Sequence, residues 1–434
     1  MLMQLEIKYK NMPNIVSKIK MIWLDASLRK RILFVIVALL VFRLLANIPV
    51  PGVDPQKLAA FFSNNEYLGL LNMFSGGGMT NLSIVMLGVG PYITSSIIMQ
   101  LLTMMFPKLK QMYQEEGEIG RRKFTMYSRY LTVPLAIIQA ASFAFLLSRQ
   151  GILDVSNPMS LWVNVSIITA GSIFLMWLGE LMTEFGIGNG TSLIIFAGIV
   201  SSIPEAVTLL IANYQVSDLP MYIAVLVASL AVIVGVVVVT EAERPIPVTY
   251  AKRIRGMRVF GGVSTYLPLR LTQAGVIPII FALSILMFPQ MIAKFLMASA
   301  NLTVVKYATY SSDILANGWF YGIAYFLMVF LFTYFYTAVT FDPHNLAKNL
   351  QNNGAFIPGV RPGETTANYI AKVLTRITLV GATFLGLVAV LPMAVKGITG
   401  ISSIAIGGTA LLIVVSVVID LIKKVEAQIS MREY

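Results

Sequence analysis

The sequence predicts an all-α polytopic membrane protein, with ten transmembrane helices in two inverted five-helix halves around a central pore. Three observations carry that prediction. Of the 434 residues, 57% are hydrophobic and 12% charged, whereas soluble domains carry about 25% charged residues. A chain of this length could not cover a globular surface with so few polar groups, and it is too apolar to stay disordered. Ten apolar runs approach the roughly 20 residues that a bilayer core requires of a helix. Two pairs of short segments also recur five runs apart.

The runs fall at about 32–49, 81–105, 130–148, 161–182, 192–213, 220–240, 272–293, 317–339, 372–393 and 402–422. They are too long and too uniformly apolar for barrel strands, which show short alternating segments. Ahead of them, residues 1–31 are basic and contain no early apolar core, so the sequence predicts no cleaved signal peptide there. Within this segment Ile15, Ile19, Ile22 and Trp23 recur at helical spacing opposite Asn14, Lys18 and Lys20. That pattern predicts an amphipathic helix on the membrane surface. Residues 32–213 then form the N-terminal half and 214–434 the C-terminal half, with polar loops at about 241–271 and 340–371.

Lysine and arginine orient the spans, because they are retained in short cytoplasmic loops. All but Arg43, Lys57, Arg149, Lys294, Lys306 and Lys396 of the 32 basic residues lie in the two termini, in the loops after spans two, six and eight, or, for Lys372 and Arg376, at the start of the ninth span. These are alternate connections, so both termini and these loops are expected in the cytoplasm. Arg43 lies well inside the first span, where backbone carbonyls or the outer-loop acids Asp54 and Glu66 are its expected partners.

Gly88-Val89-Gly90-Pro91-Tyr92-Ile93 in the second run matches Gly275-Val276-Ile277-Pro278-Ile279-Ile280 in the seventh. Gly190-Thr191-Ser192-Leu193-Ile194-Ile195 in the fifth matches Gly408-Thr409-Ala410-Leu411-Leu412-Ile413 in the tenth. A repeat of five spans is odd, so the second copy crosses in the opposite sense, as in transport proteins whose pathway lies between the halves. Pro91 and Pro278 remove backbone donors and are expected to break their helices. Irregular backbone at membrane depth is tolerated only inside protein or beside water.

Composition narrows the chemistry. The chain has no cysteine and one histidine, His344, which leaves no thiolate metal site, no cysteine nucleophile and little histidine chemistry. Neither HExxH nor a phosphate-binding loop occurs, and no cofactor is expected. Acids are scarce in the spans: Glu180 and Glu184 end the fourth, Asp420 lies near the end of the tenth, and Glu205 lies within the fifth. An ion-coupled carrier would place such groups at the midplane. The residues therefore favour a passive pore, or a carrier driven from outside, whose repeated isoleucines block ions by dewetting. An inverted-repeat transporter of small solutes or lipids is the alternative. A structural scaffold is the other, and it would need neither the Gly/Pro breaks nor the segment between the first two spans, whose later half runs from Tyr67 to Gly78. That segment, with Leu68, Leu71 and Phe74 before a glycine run, predicts a half-length helix on the outer side, either re-entering to stopper a funnel or packed on the outside of the bundle.

Longer motifs identify a resemblance. Asn72-Met73-Phe74-Ser75-Gly76-Gly77, Gly117-Glu118-Ile119-Gly120-Arg121-Arg122-Lys123 and Met176-Trp177-Leu178-Gly179-Glu180 are followed by Gly186-Ile187-Gly188-Asn189-Gly190 and Tyr250-Ala251-Lys252-Arg253. Ser264-Thr265-Tyr266-Leu267-Pro268-Leu269, Phe356-Ile357-Pro358-Gly359-Val360-Arg361-Pro362-Gly363, Leu374-Thr375-Arg376 and Gly407-Gly408-Thr409 complete the series. In this order, over essentially the whole chain, they resemble the SecY family, the channel subunits of the bacterial general protein translocase. The resemblance implies a clamshell with a lateral gate to lipid between helices two–three and seven–eight. It maps a pore ring onto Val89, Ile93, Thr191, Ile195, Ile280 and Ile413, where Thr191 departs from the usual aliphatic residue. It maps a plug onto about 66–79, including Leu71, Asn72, Phe74, Ser75, Gly76 and Gly77, and gate-lining positions onto Thr94, Gln139 and Thr272. Implied partners are the SecE and SecG subunits, the SecA motor ATPase, the ribosome, signal-sequence-bearing polypeptides and membrane lipids. Lys252, Arg253, Arg255, Arg258 and Arg361 are the implied docking residues, and such cationic loops suit ribosomal RNA phosphates as well. Unfolded chains would pass the ring, and apolar segments would leave sideways, without catalysis by the channel. The implied location is the bacterial plasma membrane.

Overall fold

Side chains at the ends of the apolar runs set where helices begin. In a computed structural model, described at residues 25–53, 57, 77–79, 81–149, 151–153, 158–212, 219–250, 253–255, 258–260, 264–273, 275–297, 301–399 and 407–430, helix α1 (Ala26–Ala46) starts where the Asp25 carboxylate accepts from the Ser27 N–H at 2.9 Å. A carboxylate there satisfies one of the unpaired amides of a first turn. The remaining N-terminal-half helices are α2 (Gly90–Met105), α3 (Pro107–Gln114), α4 (Gly117–Arg149), α5 (Pro158–Phe185) and α6 (Gly190–Ala212). The Asn189 side chain caps α6, accepting from the Thr191 and Ser192 amides at 3.1 and 3.3 Å.

The second half begins with α7 (Leu219–Glu241). It continues through α8 (Ile277–Leu296), α9 (Leu302–Ala316), α10 (Gly318–Thr340), α11 (Pro343–Asn352), α12 (Glu364–Thr399) and α13 (Gly407–Ser430). Among the described residues, ten helices of 16 to 36 residues correspond in order to the ten apolar runs. Several extend beyond the run that announced them. The third run, 130–148, lies within the 33-residue α4, and the ninth, 372–393, within the 36-residue α12. Hydropathy marks the part suited to lipid, while the polar turns at Gly117–Arg129 and Glu364–Ala371 continue the same helices outside it. The amphipathic segment at 15–23 lies outside the described residues, as do Asp54, Glu66 and most of the expected plug.

One large apolar core joins the halves. It contains Phe42 of α1, Ile97 of α2, Leu175 and Met182 of α5, Ile194 of α6, Ile279 and Leu283 of α8, Tyr325 of α10, Leu385 of α12 and Leu412 of α13. A second core lies within the first half and gathers Val50, Met79, Leu82, Met86, Phe143, Leu147 and Ile168. Packing between halves is selective: α8 lies against α2 and α4, and α13 lies against α6. Spans two and seven therefore meet, and so do five and ten. Elements related by an inverted repeat meet in this way when they lie beside its pseudo-two-fold axis.

The loop between α7 and α8 adds structure that the all-helical reading did not include. Strands β1 (Glu243–Tyr250) and β4 (Ser264–Arg270) pair antiparallel from Glu243↔Arg270 to Thr249↔Ser264. Between them β2 (Arg253–Arg255) pairs with β3 (Arg258–Phe260), and β5 (Ala355–Phe356) joins the other edge of β1. Alternation explains the sheet: Ile246, Val248 and Leu269 turn inward onto Ala355, Ile357 and Ile370, closing a third core beneath α12. Leu271, which follows β4, donates its N–H to the Ala242 carbonyl at 3.1 Å. Its own carbonyl oxygen would lie 2.5 Å from a Cβ added at Gly381 of α12.

That close approach gives a test. Gly381→Ala should lower the thermal midpoint of the purified protein in detergent, with an overpacking cost of about 1–3 kcal/mol. Gly318→Ala, where no atom lies within 4 Å of the added methyl, should leave the midpoint unchanged. Equal midpoints for the two variants would refute the packing account.

Candidate functional site

The repeated segments carry the same backbone. Gly88 has φ +58° and Gly275 φ +57°, both in the left-handed region that favours glycine. Two residues later, at Gly90 and Ile277, their helices begin. The Ile93 amide donates to the Val89 carbonyl at 3.0 Å, and the Ile280 amide to the Val276 carbonyl at 3.4 Å. These observations correct two expectations. Residues 81–89 are not the first part of a helix, since α2 starts only at Gly90. Pro91 and Pro278 do not interrupt helices either; each is the second residue of one, where a missing amide leaves no bond unmade.

Buried partners satisfy the irregular stretch before α2. Val50 donates to the Leu82 carbonyl at 2.8 Å, Ile84 to the Ile48 carbonyl at 3.0 Å and Ser83 to the Gly78 carbonyl at 2.7 Å. Ser172 of α5 reaches the Gly88 carbonyl at 3.0 Å, and the neighbouring Gly171 leaves room for the Ile84 carbonyl. Beyond the break, Ser95 Oγ donates to the Ser128 carbonyl at 2.6 Å and meets Thr132 Oγ1 at 2.8 Å, joining α2 to α4. The sequence reading missed Ser172, Ser95 and Thr132. Small polar residues facing each other from separate spans were the available signal, since such groups bond across helices in membranes.

Four of the six expected ring residues, Val89, Ile195, Ile280 and Ile413, are buried in the core that joins the halves, and Ile93 packs against it. Thr191 lies differently, with its Oγ1 3.4 Å from where a Cβ on Gly179 of α5 would sit. Of the gate positions, Thr94 is buried on α2 with its hydroxyl donating to the Gly90 carbonyl at 3.0 Å. Gln139 is half-buried on α4, and Thr272 is buried just before α8. Their three helices adjoin one another.

Leu71, Asn72, Phe74, Ser75 and Gly76 of the expected plug lie outside the described residues. Gly77 is described: its φ is +78°, and a Cβ there would sit 3.7 Å from an Arg43 guanidinium nitrogen and 3.9 Å from Ser201 Oγ. The half-buried Arg43 of α1 thus lies beside the end of that segment. Two of the span acids are paired at the helix ends, Glu180 with Arg129 at 2.8 Å and Asp420 with Lys424 at 2.7 Å.

On the sheet side, Arg253, Arg255 and Arg258 fall in β2 and β3, while Lys252 lies outside the described residues. Arg361 is exposed on a constrained turn. Gly359 and Gly363 take φ of +82° and +103°, Val360 donates to the Ile357 carbonyl at 3.0 Å, and Thr366 Oγ1 donates to the Arg361 carbonyl at 2.8 Å.

Comparison with known proteins matches the family model of SecY over residues 83–422. The protein translocase subunit SecY of Mycobacterium tuberculosis (strain ATCC 25618 / H37Rv) is 41% identical over 431 residues, covering 94% of this chain and 96% of that protein. The chain belongs to the SecY family. It is a membrane protein-translocation channel, as the family is. Solved structures agree on the fold. A SecY protein whose plug domain stabilises the closed state superposes with a TM-score of 0.65 at 21% identity, covering 93% of each chain. Sec61 in the canine ribosome-channel complex gives 0.60 at 17% identity, again covering 93% of each.

The two glycines supply the next test. Alanine in left-handed backbone costs about 1–2 kcal/mol, so Gly88→Ala and Gly275→Ala should each lower the thermal midpoint in detergent. No atom lies within 4 Å of a methyl added at Gly275, so the loss there is conformational. A midpoint unchanged by Gly275→Ala would refute the left-handed assignment.

Proposed function

We propose that this channel passes unfolded polypeptides through an apolar constriction formed by Val89, Ile93, Ile195, Ile280 and Ile413, and releases apolar segments sideways between α8 and the α2–α4 pair. The supporting observation is that the repeated residues from both halves share one buried core at the interface of those halves. Aliphatic side chains exclude ions because a narrow apolar throat dewets, and they press on a passing chain without reading its sequence. A sufficiently apolar segment then gains about 25 cal/mol for each Å² it moves from water into lipid, which favours exit at the α8 boundary. Segment 66–79 serves as the plug, with Gly77 beside Arg43. Thr191 at the rim adds a hydroxyl to an otherwise aliphatic set.

SecE and SecG complete the assembly in this reading. The SecA ATPase or the ribosome supplies the energy, docking on the β2–β3 hairpin and the Arg361 turn. The ribosome-bound canine Sec61 relative supports such docking, as does the cationic loop itself, which suits phosphate-rich RNA. Both termini and the sheet face the cytoplasm of a bacterial inner membrane, on the distribution of basic residues. The channel contributes no bond chemistry.

Reconstitution with SecE, SecG and SecA in vesicles should protect an unfolded preprotein from external protease only when ATP is present. Protection without ATP, or none from a correctly assembled complex, would overturn the motor-driven reading. Ile93→Asn and Ile413→Asn should each raise ion conductance of planar bilayers holding the resting complex. Wild-type conductance in both would remove the constriction. Arg361→Glu should slow SecA-driven translocation while membrane insertion and complex assembly stay normal, and wild-type rates would exclude this turn from docking.

A further inference from the structure

Helix α9 lies between two membrane helices, on the side of the molecule opposite the sheet, and both of its ends are built. Asn301 Oδ1 accepts from the Thr303 amide at 3.1 Å and from its hydroxyl at 2.7 Å. At the other end the Asn317 amide donates to the Asp313 and Ile314 carbonyls, and the Asn317 side chain accepts from the Trp319 amide at 3.1 Å. One asparagine thus stops α9 and starts α10, fixing the corner between them. The helix packs on both α8 and α10.

Around its axis α9 presents three faces. Ala308 is buried, with Val304, Val305, Ser312 and Leu315 half-buried beside it. Tyr307, Tyr310 and Ile314 recur at intervals of three and four residues on an exposed stripe, with Tyr307 75% and Tyr310 66% exposed. Lys306, Thr309 and Asp313 form a separate exposed polar stripe. A helix standing in water needs only a buried and a polar face; the aromatic stripe is a third. That stripe leads to Trp319, 85% exposed in the first turn of α10, and to Phe320, Ile323, Leu327 and Leu331 exposed further along the same helix. The latter form the exposed apolar face of a membrane span, so the aromatic stripe ends within six residues of a face suited to lipid. Tyrosine and tryptophan, with apolar bodies and polar tips, concentrate at this boundary.

We propose that α9 is an interfacial helix resting on the bilayer, with Tyr307, Tyr310 and Ile314 among phospholipid headgroups and upper acyl chains, and Lys306, Thr309 and Asp313 in water. This placement needs only the membrane fold. Its consequence for transport rests on the lateral-exit reading: α9 ties the far end of α8, the gate helix, to the membrane surface.

The absence of cysteine from the chain makes the test direct. Single variants Tyr307→Cys, Tyr310→Cys, Ile314→Cys, Thr309→Cys and Asp313→Cys carry a small fluorophore in the SecE- and SecG-bound complex. The complex is placed in phosphatidylethanolamine–phosphatidylglycerol vesicles. Labels at 307, 310 and 314 should lose fluorescence to a lipid bearing a nitroxide near its headgroup and retain it with aqueous iodide. Labels at 309 and 313 should do the reverse. Equal iodide quenching on both stripes would overturn the proposal, because the helix would stand in water. Protection of 307, 310 and 314 from both quenchers would also overturn it, in favour of a covering protein or a second copy. Three positions on the aromatic stripe keep the test decisive if one variant fails to assemble. ATP-driven preprotein protection by the labelled complexes separates this outcome from failure of the channel reading.

Discussion

Backbone hydrogen bonding is the constraint on which this architecture depends. Hydrocarbon offers no partner for an exposed amide or carbonyl, so a span must be helical or must find partners in the protein. Residues 81–89 cross the first half without a helix, and neighbouring structure answers for them: Ile48 and Gly78 accept, Val50 donates, and Ser172 reaches the Gly88 carbonyl. A seam that is not helical can close around side chains and still be taken apart, since its bonds run between elements. The break before α8 uses the same left-handed glycine and the same helix start. The two repeated breaks therefore precede helices that meet at the interface of the halves.

Function follows from what that interface lacks as much as from what it holds. The side chains gathered there are aliphatic and aromatic, and two of the span acids, Glu180 and Asp420, are paired with Arg129 and Lys424. A charged or strongly polar lining would bind some passing segments tightly and slow them; branched aliphatics hold none. The same residues pack as an ordinary core when no chain is present, so the closed state is stabilised by burial. Under the proposed function, specificity then belongs to the lipid boundary at α8, where a segment is sorted by its own hydrophobicity.

Much of this was legible in the sequence, for identifiable reasons. Spans announce themselves because a 30 Å core demands a sustained apolar run, and the repeat was visible because Gly88 and Gly275 each had to be glycine. What hydropathy could not show was backbone conformation. Residues 81–89 are as apolar as the helix that follows, so they read as its first turns. Pro91 and Pro278, read as helix breakers, are helix starters, a distinction that depends on where the helix begins. The β-sheet was hidden because its alternation, Ile246 and Val248 against Leu267 and Leu269, is short, contains three prolines and sits among cations. The contact of Thr191 with Gly179 depends on how α5 and α6 pack, which no local pattern encodes.

The sheet and α8 are joined through a short, packed connection. Strand β4 ends at Arg270, and α8 begins at Ile277. Within that short connection, Leu271 is bonded to Ala242 at the root of β1, and its carbonyl is pressed against Gly381 of α12. The inward face of the sheet is seated on the start of the same α12 through Ile370, while Ile357 places the Arg361 turn against it. Leu271 is thus held on two sides at the start of that connection. Helix α8 in turn lies against α2 and α4, the boundary at which the proposed lateral exit lies. Under the proposed function, these short connections and the glycine-close packing at Gly381 link the docking loops to the lateral exit.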